Sequence, residues 1–157
     1  MNVETKLTLS DTAISKLRDL IRINVDSYNG FAEAAESINN ESIADLFREF
    51  ARQRAEFASS LKRIVTLNDE EPRVEGSFSA AIHRLWIDVR SMLSGGDAHA
   101  ILSEAERGED QIKAAYEEAL KETAGSAAND ILTEQYAAIK EGHDRIRGLR
   151  DAYADTI

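Results

Sequence analysis

The stretch ILSEAERGEDQIKAAYEEAL, residues 101–120, holds the pattern that decides the fold class of this chain. Apolar and small residues recur in it every three or four positions, which is the spacing of the inward face of an amphipathic helix. These residues are Ile101, Ala105, Gly108, Ile112, Ala115 and Ala119. The same stretch carries Glu104, Glu106, Glu109 and Asp110. It predicts a long helix whose carboxylates either hold a metal ion or face the solvent.

Similar apolar stripes cover most of the remaining sequence. They predict long helices over about residues 11–38 and 41–67, and a shorter helix that begins near Ser77. A last long helix carries the stripe from Leu132 to Tyr153. The sequence shows no strand pattern and no internal repeat, so we expect an all-α protein.

Polar residues that favour the start of a helix stand where these stripes begin. Ser10 or Asp11 can cap the first helix, Asn40 the second, and Asp97 the helix that contains residues 101–120. Residues 1–10 are expected to form a loose lead-in. Residues that interrupt helices are concentrated in NDEEPRVEGS, residues 68–77.

These elements predict one domain over residues 1–157. Short turns make neighbouring long helices antiparallel. The long connection, residues 68–97, can run the length of the bundle and carry the shorter helix. Four long helices with one long crossover between the second and third form an antiparallel four-helix bundle of known plan.

Composition narrows the classes of function. The formal charge of −10 repels phosphate backbones, so we expect no nucleic-acid partner. No apolar run approaches the roughly 20 residues of a membrane span, so we expect no membrane partner. The first residues lack the basic start and apolar core of a signal peptide, which favours the cytoplasm. The absence of cysteine excludes disulfides and thiolate metal sites.

Four segments resemble a bacterial ferritin-like four-helix-bundle family whose domain is catalogued as of unknown function. They are REFARQRAEFASSL at residues 48–61, IHRLWIDVRSMLSGGD at 82–97, the quoted stretch at 101–120, and HDRIRGLRD at 143–151. The likeness extends over about residues 11–151, in the same order. The resemblance implies a ferritin-like fold and implies no activity.

A ferritin-like di-iron site takes one Glu from each of two helices and Glu-x-x-His from each of the other two. This sequence fills that pattern only in part. The second helix has Gln53 where the Glu would stand, and Lys140 precedes His143 by three positions. We therefore expect no cofactor and a degenerate di-iron site. A site for iron or another divalent metal stays open, with Glu56, Glu106, Glu109 and His143 as ligands.

The same carboxylates have a simpler interpretation. A row of Glu on an alanine-rich helix is usually a solvated face. Arg54, however, lies on the apolar stripe of the second helix, between Phe50 and Phe57. A buried guanidinium needs a carboxylate partner, so we expect Arg54 to form a buried ion pair with Glu106 or Glu109.

Two functions of different classes follow from these interpretations. The first is a non-enzymatic bundle that is structural or binds an unidentified protein partner. The second is a metal-binding, oxidase or storage protein with an atypical carboxylate–histidine site. The missing Glu-x-x-His pair favours the first. A homodimer is a further option if apolar residues of the shorter helix, such as Leu85 or Met92, are exposed.

Overall fold

The computed structural model describes residues 9–68, 70, 80–93 and 97–154. In these ranges the chain is all-α, with no strand. Its helices are α1 (Asp11–Ser37), α2 (Glu41–Leu67), α3 (Ala80–Leu93), α4 (Ala98–Glu122) and α5 (Ala127–Ala154). The predicted all-α class is therefore confirmed. Most of the predicted lead-in and most of the loop residues of the predicted crossover lie outside the described residues.

Side-chain caps determine where three of the helices begin. Ser10, Asn40 and Asp97 have extended backbone conformations, and each side chain accepts a hydrogen bond from the backbone N–H three residues later, at 3.0–3.1 Å. Each cap satisfies one of the N–H groups that a helix start leaves without an intrahelical partner. The three caps that the sequence predicts are confirmed.

The long helices pack in two pairs. α1 packs against α2 and α4 against α5, while α1 also contacts α4 and α2 contacts α5. The links between the paired helices are short, so each pair is antiparallel. α2 and α5 run in opposite directions: Asn40, just before α2, bonds to Tyr153 near the end of α5, whereas Glu49, farther along α2, bonds to Arg145, which comes earlier in α5. The shorter helix α3 lies across α1 and α4.

Trp86 attaches α3 to the rest of the core. Its ring packs edge-on against Phe31, with 4.8 Å between ring centroids. The ring occupies the space beside Gly30, where a Cβ would lie within 2.7 Å of three ring atoms. Gly30 therefore allows α3 to approach α1 closely, a role that its position in an apolar stripe did not reveal.

Leu85 does not belong to an exposed apolar face of α3, which was the condition for a homodimer through this helix. It is 8% exposed and packs over Gly108 of α4, so it is part of the core. Met92 is half-buried against the same core. Among the residues of α3 whose burial is described, 84–93, the large apolar residue exposed to solvent is Ile87, with 45% of its surface exposed. Among the described residues, no helix has both the length and the apolar content to cross a membrane.

Candidate functional site

A fully buried ion pair lies in the protein interior, between the helices. Arg54 of α2 donates to both carboxylate oxygens of Glu109 on α4, at 2.9 Å from Nη1 and 2.7 Å from Nη2. The two side chains are 0% and 1% exposed. The Nε of Arg54 donates to Gln53 at 3.2 Å. This bidentate geometry pairs the guanidinium with the carboxylate in a place that water does not reach.

Aromatic rings and one glycine complete the surroundings of this guanidinium. The rings of Phe31 and Phe50 each lie with their centroid 5.6 Å from the Cζ of Arg54, within the range of a cation–π contact. Gly142 of α5 faces the same space, because a Cβ there would lie 3.2 Å from Phe50 and 3.8 Å from Arg54 Nη2. The absence of a side chain at Gly142 lets Phe50 and Arg54 pack against α5.

A second polar group, formed by α4 and α5, surrounds His143. The side chain of His143 is 6% exposed, and its Nε2 lies 2.9 Å from Asp110 Oδ1 and 3.3 Å from Glu106 Oε2. Its Nδ1 lies 3.2 Å from Asp144, and this hydrogen bond lowers the pKa of the Asp144 carboxyl. The other oxygen of Glu106 accepts from Arg150. Glu106 is thus held between a histidine and an arginine.

The structure separates the residues that the sequence grouped as metal ligands. Glu109 pairs with Arg54, whereas Glu106 pairs with His143 and Arg150. Glu56 is exposed, while Arg54 of the same helix is buried. Residues two positions apart project from a helix about 200° apart, so Glu56 points away from the interior pair.

The solvated-face interpretation of the α4 carboxylates is wrong for most of them. Glu104, Glu106 and Glu109 are at most 9% exposed, and of this row only Asp110 is exposed. Three positions on one helix can be buried together because α4 packs against α1, α3 and α5. Arginines neutralise them: Arg107 for Glu104, Arg150 for Glu106 and Arg54 for Glu109.

The residues do not fit a di-iron centre. In the described part of the chain, no group of three or more His, Asp or Glu is arranged to hold a metal ion. Two iron ions would need Glu106 and Glu109 free to coordinate them, but guanidinium groups donate to both carboxylates. A fixed cation at the carboxylate opposes the binding of a second cation by direct repulsion.

A second buried polar layer contains none of the site residues that the sequence predicted. Tyr116 of α4 is fully buried; its hydroxyl accepts from Asn24 Nδ2 at 2.9 Å and donates to Gln135 Oε1 at 2.7 Å. The three residues come from α1, α4 and α5. Asn24 and Gln135 are polar residues at inward positions of otherwise apolar stripes, and that interruption was the signal available in the sequence.

The free energy of unfolding is expected to fall above about pH 10, because the pKa of the buried Tyr116 is raised in the folded protein. Burial, the largest effect, raises the pKa of Tyr116, although its bond from Asn24 lowers it. An unfolded tyrosine loses its proton near pH 10, so the unfolded state then binds fewer protons than the folded state. Urea unfolding between about pH 8 and pH 11 should show the fall. In Tyr116→Phe the free energy of unfolding should decrease less over this pH range. An equal decrease in both proteins would contradict the role given to Tyr116.

Comparison with known proteins places the chain in a family. None of the curated proteins matches it. A family model does match, over α1 to α4, so that the matched residues include Arg54, Glu106 and Glu109, while His143 follows them. Because the match covers residues 12–122 of 157, the chain belongs to the family defined by the domain of unknown function DUF2383.

Proposed function

We propose that this protein is a non-enzymatic, ferritin-like four-helix bundle with a structural or partner-binding role in the bacterial cytoplasm. The helix directions support the ferritin-like plan. α1 and α5 are each antiparallel to α2, and α4 is antiparallel to α5, so α2 and α4 run in the same direction. Residues 68–97 must then connect the end of α2 to the far end of the bundle, which is the long crossover of that plan.

One observation carries the non-enzymatic role: the buried pair of Arg54 and Glu109. The guanidinium lies among the four helices, the region where ferritin-like proteins place carboxylate ligands. Both of its Nη atoms are bonded to Glu109, at 2.7 and 2.9 Å. The charge of the Glu109 carboxylate is therefore already balanced by the guanidinium of Arg54, which is part of the same chain. The interior needs no metal ion to be electrically neutral.

Elemental analysis tests this proposal. The full chain is purified without chelator, analysed, exposed to ferrous iron under anaerobic conditions, desalted and analysed again. We expect much less than one metal ion per chain in both preparations, and no acceleration of ferrous iron oxidation when air is admitted. About two ions per chain, or rapid oxidation, would overturn the proposal.

Light scattering on the same material gives the mass, which tests whether the chain forms a homodimer.

The group around His143 favours a second candidate, a protein that binds a single divalent metal ion. The Nε2 of His143 lies 3.3 Å from one oxygen of Glu106 and 2.9 Å from one oxygen of Asp110, and Asp110 is open to solvent. The three side chains are not arranged around a metal ion as they stand, so an ion would have to displace these bonds and the bond from Arg150. Glu56 and Glu109 are not in this group. One ion per chain that is lost in His143→Ala and Glu106→Gln would establish this candidate. Glu104→Gln is the matched control, since Glu104 is a buried carboxylate of the same helix that pairs with Arg107.

A further inference from the structure

Two buried polar atoms on α1 have no hydrogen-bond partner among the described residues: Asn24 Oδ1 and Ser27 Oγ. Both residues are 0% exposed. They lie three positions apart in the helix, so their side chains share one face. That face carries the polar layer with Tyr116 and Gln135, because Asn24 also bonds to Tyr116. The unsatisfied atoms thus adjoin a network that is otherwise paired.

A change of side-chain orientation does not satisfy Asn24 Oδ1. The Nδ2 group donates to the carbonyl of Leu20 at 2.8 Å and to the Tyr116 hydroxyl at 2.9 Å. Turning the amide over would place Oδ1 against the Leu20 carbonyl, which has no proton to donate. The Tyr116 proton is already engaged, since that hydroxyl donates to Gln135. The present orientation of Asn24 is therefore the better one, and Oδ1 still needs a donor.

We infer that Asn24 Oδ1 and Ser27 Oγ bind a buried water molecule. The ligand must donate to an amide oxygen and also pair with a hydroxyl, and water is the smallest molecule that can do both. Ordering one water costs less free energy than leaving two buried polar atoms unpaired. Proteins of this size ordinarily hold several such waters, about one per 27 residues.

The surroundings favour a neutral ligand over a small cation. The charges of Arg54 and Glu109 both act on Tyr116, whose hydroxyl is bonded to Asn24, and these two residues form a buried ion pair. Because that pair carries no net charge, nothing there offsets the hydration that a cation would lose on burial, whereas a neutral water molecule loses far less. The water extends the chain of hydrogen bonds from Gln135 through Tyr116 and Asn24 to the next turn of α1. It holds α1 in register with α4 and α5, whether or not the interior ever binds metal.

A crystal structure of the full chain at near-atomic resolution tests the inference. We expect a single spherical density peak within about 3.2 Å of both Asn24 Oδ1 and Ser27 Oγ. Ser27→Val should remove the peak and leave the bond between Tyr116 and Gln135 intact. Thr123→Val is the matched control, because the Thr123 hydroxyl is also buried but donates directly to the carbonyl of Ala119 at 3.0 Å. It should leave the peak unchanged.

Direct bonding of Ser27 Oγ to Asn24 Oδ1 or to the carbonyl of Ile23, with no peak, would overturn the inference. A second measurement applies to the unmodified protein in solution and does not depend on the variants folding. Magnetisation transfer in NMR should connect a long-lived water with the side chains of Asn24 and Ser27. Exchange with bulk solvent as fast as at exposed residues would also overturn it.

Discussion

Arg54→Leu is expected to lower the free energy of unfolding by about 3–5 kcal/mol. The leucine fills much of the same volume and makes the stripe on α2 more apolar. The loss arises because Glu109, which is 1% exposed, then holds a carboxylate that has no cation and no access to water. Burying an uncompensated charge costs more than the added apolar contacts return.

Denaturant unfolding followed by circular dichroism measures this loss, and the double variant locates its cause. Arg54→Leu with Glu109→Leu removes both charges, and we expect it to recover most of the stability. Arg145→Leu is the control, since Arg145 forms a similar two-bond pair with Glu49 at 2.7 and 3.2 Å that is exposed to solvent. It should cost about 0–1 kcal/mol. Unchanged stability in Arg54→Leu alone would show that the pair is not needed for the fold.

Gly30→Ala should destabilise the protein by about 2 kcal/mol, although alanine is the better helix former. The alanine Cβ would lie within 2.7 Å of three atoms of the rigid Trp86 ring, so α1 or α3 must move. Overpacking of this kind costs about 3 kcal/mol, against about 1 kcal/mol gained from helix propensity. The cost falls on the docking of α3, because the Trp86 ring packs directly against Gly30 and Phe31 of α1.

Fluorescence reports this displacement directly, because Trp86 is the only tryptophan of the chain. The emission of Gly30→Ala should shift to longer wavelength as the ring becomes more exposed, and the melting temperature should fall. Gly148→Ala is the control: Gly148 is also within a helix, but a Cβ there meets nothing within 4 Å. It should gain up to about 1 kcal/mol from helix propensity alone. Equal effects of the two substitutions would contradict the role of Gly30.

Local patterns in the sequence were enough to predict the helices. The stripes with a period of 3.6 residues and the caps at Ser10, Asn40 and Asp97 depend on residues within a turn or two of each other. The burial of Arg54 also followed from its place in such a stripe. Asn24 interrupts the apolar stripe of α1 in the same way. Periodicity shows which side of a helix faces inward, because that direction is set by the backbone of the helix itself.

Only the tertiary structure decided which inward side chains meet. Arg54 takes Glu109, while Glu106, one turn earlier on α4, takes His143 and Arg150. A difference of one turn moves a side chain about 5 Å along the bundle, more than the reach of a hydrogen bond. The relative heights of the helices are set by packing between distant segments, such as Trp86 against Gly30. No spacing within one segment encodes those heights, so the partner of each buried charge could not be predicted from its own helix.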